Sequence, residues 1–264
     1  DVLADNGTLW AFRVTAKNGN SVNRTDPFNG ANDYGDFVNA TDSMAGEFIE
    51  VPRAIAIGDQ TPLENWSNDN NVFQFIRVED IAYDKNNPRI VYFADTGEPR
   101  AIANAVTGRL QRGSSSTTGP YMNGRIFKMV LNAADPLVVD SLTVLINADT
   151  GGYNNPNVLH QPDNIDTSAN GSLMIQEDPG SHNNTRPAFP NATNARVWRY
   201  DLATGNFSVV AEVDQSLVPS SVKGAWESSG ILDVSTVFGP GTWLVNVQAH
   251  TLLIETEVRT VTVG

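Results

Sequence analysis

The stretch Glu79-Asp80-Ile81-Ala82-Tyr83-Asp84, a polar turn and then Arg89-Ile90-Val91-Tyr92-Phe93-Ala94-Asp95-Thr96 decides the fold, because the chain repeats it twice more. The second copy reads Asp163-Asn164-Ile165-Asp166-Thr167-Ser168, a turn at Asn170-Gly171, then Ser172-Leu173-Met174-Ile175-Gln176-Glu177-Asp178. The third reads Ser229-Gly230-Ile231-Leu232-Asp233-Val234, a turn at Gly239-Pro240-Gly241, then Trp243-Leu244-Val245-Asn246-Val247-Gln248-Ala249-His250. Each copy is a short strand, a tight turn and a second strand that ends in polar residues. Ile81, Ile165 and Ile231 hold the equivalent position, 84 and then 66 residues apart.

Further hairpin-like alternations fill the intervals, at 124–131 with 141–146 and at 195–202 with 207–211. Four strands per unit is the signature of a β-propeller blade. The expected fold is therefore an all-β propeller with three to four blades visible, part of a larger or completed ring. Residues 1–264 read as one such domain or the C-terminal portion of one. Residues 7–14 resemble a third strand with no first or second before it. Helical patterning is almost absent, and the long stretches 26–44 and 97–121 read as loops.

Composition narrows the partners. Hydrophobic residues make up 40% and charged residues 18%, with a formal net charge of −13 and only four lysines. That field repels phosphate backbones, which excludes nucleic acid as a natural partner. The chain has no cysteine, so disulfides, zinc–thiolate sites and thiol nucleophiles are excluded together. No apolar run approaches the roughly 18 residues of a transmembrane helix. Asp1 reads as the start of a processed or incomplete chain.

In a propeller, polar residues at the inner strand ends converge from different blades. Glu79, Asp80, Asp95, Asp163, Asn164, Glu177, Asp178, Glu227, Asp233 and His250 fall at such positions. Gathered carboxylates raise one another's pKa and call for a hard cation with oxygen ligands. The competing reading is that these residues cap turns and tie blades together. Glu79 and Glu177 stand out, because Glu forms turns poorly and both sit within apolar strands. The loop 178–184 is a further candidate for calcium. Other schemes find no support: His160, His182 and His250 lack zinc-type spacing, and neither Gly-x-Ser-x-Gly nor a phosphate loop is present.

The segments Phe75-Ile76-Arg77-Val78-Glu79-Asp80, Gln161-Pro162-Asp163-Asn164-Ile165, Leu173-Met174-Ile175-Gln176-Glu177-Asp178 and Trp226-Glu227-Ser228-Ser229-Gly230-Ile231-Leu232-Asp233 resemble, in order, the successive motifs of PhoX-type alkaline phosphatases. Val247-Gln248-Ala249-His250 fits the same pattern. The resemblance spans residues 73 to 251 and implies a β-propeller. It also implies an exported enzyme, secreted, periplasmic or at the cell surface, that hydrolyses phosphate monoesters with calcium and iron. Carried over by motif, Glu79 and Glu177 are the expected iron ligands. Asp163, Asn164, Glu227 and Asp233 would serve calcium or support it, and Arg77 would hold phosphate. Two departures accompany the resemblance. The family's iron centre includes a cysteine, and its members are longer, so this chain matches their C-terminal part. Two functions stand side by side at this point: a phosphomonoesterase, and a non-catalytic extracellular propeller serving as scaffold, matrix or filament protein. In either case other copies, or further chain, would complete the ring.

Overall fold

The computed structural model describes residues 7–26, 28–114, 119–152, 155–178, 193–216 and 226–249. Strand β1 (Trp10–Lys17) turns through Asn18-Gly19, both at positive φ, into the short β2 (Asn20–Ser21). Asn-Gly suits this two-residue turn because it tolerates left-handed backbone at both positions. Strand β3 (Ser43–Glu50) then pairs antiparallel with β1. Helices α1 (Arg53–Ala56) and α2 (Gln60–Asp69) follow.

The first repeat unit is β4 (Val78–Asp84) and β5 (Asn87–Asp95), an inserted hairpin of β6 (Ala101–Ala103) and β7 (Leu110–Arg112), then β8 (Arg125–Leu131) and β9 (Val138–Asn147). The second is β10 (Pro162–Thr167), β11 (Ser172–Glu177), β12 (Arg196–Asp201) and β13 (Phe207–Glu212). The third begins with β14 (Glu227–Asp233), a helical turn α3 (Ser235–Phe238) and β15 (Trp243–Gln248).

The fold is all-β, and its sheets are antiparallel meanders. Strands run in the order β4-β5-β8-β9 in the first unit and β10-β11-β12-β13 in the second. The aligned segments of the sequence are thus the hairpins β4–β5, β10–β11 and β14–β15. Their first strands lie side by side, β10 packing against β4 on one flank and β14 on the other. All three hairpins carry one extra residue on the first strand at the same place: between Val78 and Ile81, between Pro162 and Ile165, and between Ser229 and Ile231. Such bulges re-aim side chains and strengthen local twist.

Three expectations change. Residues 7–14 do not form the third strand of a unit, because β1 joins through β3 to β9, the outer edge of the first meander, in the order β2-β1-β3-β9. The stretch 97–121 contains the β6–β7 hairpin, and 60–69 is helical. Pro62 is tolerated there because the first helical turn lacks intrahelical donors to lose.

The period-2 alternation of the first meander feeds two cores. Phe93, Phe127, Met129 and Leu142 face the N-terminal segment and pack with Phe12, Tyr34 and Phe37. Tyr92, Ala94 and Ile126 point the other way and meet Ile165, Leu173, Ile175 and Trp198 of the second unit. Neighbouring residues of one strand thus serve opposite faces. No helix among the described residues is long and apolar enough to cross a membrane.

Candidate functional site

The acids expected at a site occupy the bulges of β4 and β10 and the strand ends nearby, and they divide into two kinds. The first kind holds the units together. Asp80, on the bulge of β4, accepts the backbone N–H of Ile165 at 2.9 Å across the seam to β10. Asn164, its equivalent on β10, accepts the N–H of Gly230 at 2.7 Å and the Ser229 hydroxyl at 3.2 Å, both from β14. Asp166 accepts the N–H of Asp233 at 2.8 Å, and the Thr167 hydroxyl donates to the Tyr83 carbonyl at 2.6 Å. Lys85 Nζ lies 3.5 Å from Asp166 and 3.4 Å from Asp233, so one lysine of the first unit touches the second and third. Side chains here replace the backbone ladder that would join strands within a sheet.

Glu177 belongs to this structural kind. It is 1% exposed and takes five hydrogen bonds. Its Oε1 accepts from the His160 N–H, the Trp198 indole N–H and an Arg196 guanidinium N–H. Its Oε2 accepts the N–H and Nε–H of Arg196. Burial pushes its carboxyl upward, opposed chiefly by Arg196. Register pairs Glu177 with Pro162 and Asp95 with Val78, so the repeat equivalent of Glu177 is Asp95 rather than Glu79. Asp95 is also fully buried and accepts the N–H groups of Ile76, Arg77 and Gly97. Each of these acids is matched by a buried arginine opening the third strand of its unit, Arg125 or Arg196. Arg125 lies 3.1 Å from Asp149, and its guanidinium stacks 4.0 Å above the Tyr34 ring. The recurring arginines were the sequence signal for this pairing. They become visible only when both units are aligned through their third strands.

The second kind of acid is open. Among the described residues Glu79 is bound only to Arg77, at 3.1 Å, with both side chains more than a third exposed. Asp163, on the bulge of β10, has no hydrogen-bond partner among the described residues. Its carboxyl is pushed up to about 6 by burial first, then by the charges of Asp178, Glu79 and Asp80, against the pull of Arg77. Asp163, Glu79 and Arg77 therefore share one electrostatic neighbourhood. Glu227 is buried at the start of β14, and Asp233 is tied down by Ser235 and Lys85. His250 and residues 179–184 lie outside the described residues.

Arg77 also lines a cavity of about 620 Å³ between residues 74–77, which lead into β4, and the β6–β7 hairpin, together with Glu98 and Arg112. Arg112 Nη2 is 3.4 Å from Glu98 Oε2, and Arg100 Nε is 3.2 Å from Glu98 Oε1. The sequence reading found Arg77 but not Arg112, which lies 35 residues away on an inserted hairpin that carries no repeat. Chemically, the cavity can take an anion: two arginines line it, each paired with a carboxylate that a better acceptor can replace.

Neither calcium nor iron fits the described residues. No group of three or more His, Asp or Glu side chains among them is placed to hold a metal ion. The acceptor positions of Glu177 are filled by arginine, indole and amide donors, and the Asn164 oxygen is filled by β14.

No protein-family model matches the sequence, and no curated protein sequence matches it. Among solved structures, the chain is similar to Pseudomonas fluorescens PhoX in complex with vanadate, a transition state analogue, with a TM-score of 0.55 and 17% identity. The match covers 87% of this chain and 38% of that one, so this chain spans well under half the length of the PhoX structure. What the likeness shows is the fold: this protein and PhoX share an all-β architecture across most of the present chain.

Proposed function

We propose that this protein binds and hydrolyses phosphate monoesters, taking the phosphoryl group at the mouth of the Arg77 cavity. One observation carries the reading: in a protein of net charge −13, Arg77 and Arg112 both line a single cavity beside the bulged inner strands. Their partners Glu79 and Glu98 form partly exposed pairs of the kind worth little in water. A phosphate dianion, with more acceptor oxygens and charge, displaces them. Asp163 supplies the acid–base group. Its pKa of about 6 lets it carry or release a proton near neutral pH, and it lies in the field of Arg77. It would protonate the departing ester oxygen, or take a proton from the attacking water. The PhoX-like fold agrees with this chemistry. The protein works outside the cytoplasm, its residues 1–264 forming a single β-propeller domain or the C-terminal portion of one, with other copies or further chain completing the ring.

A second reading has its own observation. Asp80, Asn164, Asp166 and Glu177 spend their oxygens on holding strands and units together, as a non-catalytic extracellular propeller would require. Calorimetric titration with inorganic phosphate, and turnover of p-nitrophenyl phosphate with and without added calcium, decide between them. The phosphatase reading expects phosphate binding that Arg77→Ala weakens about tenfold, and turnover that Asp163→Asn abolishes. Absence of both binding and turnover in the wild-type protein establishes the scaffold.

A further inference from the structure

The cavity beside Arg77 is much larger than a phosphate ion needs. Its volume of about 620 Å³ falls in the range of roughly 300–1,000 Å³ that enclose whole organic ligands. Beyond the arginines its walls change character. Phe75, Ile76, Ala101 and Leu110 form an apolar half. These walls are held in place. Gln74 clamps the hairpin by donating from Nε2 to the Leu110 carbonyl at 2.7 Å and accepting the Leu110 N–H at 2.9 Å. The Phe75 ring is set by three neighbours, at 4.7 Å from Phe73, 5.2 Å from Phe93 and 5.4 Å from Phe127 between centroids. A fixed aromatic side chain, the half-buried Ile76 and the buried Leu110 make an apolar wall suited to a flat apolar group.

We propose that the ester recognised here carries an aromatic organic group, a phenyl or a nucleobase-bearing one. Its phosphate lies at Arg77 and Arg112, and its ring lies against Phe75, Ile76 and Leu110. This rests on the phosphate-ester reading above and adds the substrate class to it. A small polar ester, such as glycerol 2-phosphate, leaves the apolar half wet and gains only the charge contacts. An aryl ester removes that surface from water as well.

The test is calorimetric titration of the whole protein with inorganic phosphate, glycerol 2-phosphate and phenyl phosphate. It is run on the wild type and on Ile76→Ala, which trims the apolar half at a half-buried position outside the strands. Phenyl phosphate is expected to bind about tenfold more tightly than glycerol 2-phosphate. Ile76→Ala is expected to reduce that advantage to about threefold or less. Equal binding of the two esters by the wild type overturns the proposal, as does a preference that survives Ile76→Ala unchanged. Failure of the underlying phosphate reading looks different, because then none of the three ligands binds.

Discussion

The hairpins β4–β5 and β10–β11 have the same pattern, the same bulge and the same leading isoleucine, yet they live in different surroundings. Ile165, on β10 with strands on both flanks, is 3% exposed, whereas Ile81 on β4 is 65% exposed. Two residues further on, Thr167 is fully buried and Tyr83 is 58% exposed. Local sequence set the strand and its turn in both cases. Whether the side chain contributes to stability was set by the neighbour across the seam, which the local pattern does not encode.

The contrast breaks most sharply at the two glutamates once grouped together. Glu177→Ala leaves the Arg196 guanidinium buried without its carboxylate, and is expected to cost about 3–5 kcal/mol in urea unfolding. Glu79→Ala removes only a partly exposed pair and should change stability by less than about 0.5 kcal/mol. Equal effects would mean that the two positions are equivalent after all. The next largest contrast lies at the isoleucines. Ile165→Ala is expected to cost about 3 kcal/mol, and Ile81→Ala under about 0.5 kcal/mol, by the same measurement. A large loss at Ile81 would show that a further element covers β4 in solution.

The smallest effect is electrostatic and depends on pH. The Asp163 carboxyl is raised from 3.8 to about 6 in the folded protein, so its contribution to stability is fully present below pH 3.8 and lost as pH rises through 6. Asp163→Asn removes a partly buried negative charge and is expected to stabilise the protein by about 1 kcal/mol at pH 7.5, allowing for screening by solvent. The gain should vanish at pH 4. A gain that persists there would assign it to packing instead.

Much of this architecture was legible in the sequence. The alternation around Ile81, Ile165 and Ile231 located three hairpins, and the segments at 124–146 and 195–211 located the outer strands of two units, because period-2 patterning and Gly or Asn turns are local properties. The role of Glu177 was not legible, since its partners Arg196 and Trp198 are 19 and 21 residues away and meet it only through strand pairing. The docking of β3 onto β9 joins residues about a hundred positions apart and leaves no local trace. Helix α2 is rich in Asn, Asp and Ser, which favour turns, and its weak apolar face hid it. Of the candidate site, Glu79 and Asp163 were readable from their places in the repeat, and Arg77 from the motif resemblance. The cavity that gives Arg77 a purpose depends on a hairpin inserted between repeat strands.

The seams between units run through single side chains, and this makes them independently adjustable. A sheet joined by its backbone ladder loses a rung by point mutation only to proline, because every other residue type supplies the same amide and carbonyl. Here Asp80 governs one amide of the second unit, and Asn164 governs one of the third, where Gly230 occupies the equivalent bulge with no side chain to pass the tie onward. Each joint can therefore be loosened, tightened or left open by exchanging one residue, with every strand of the hairpins on either side still paired.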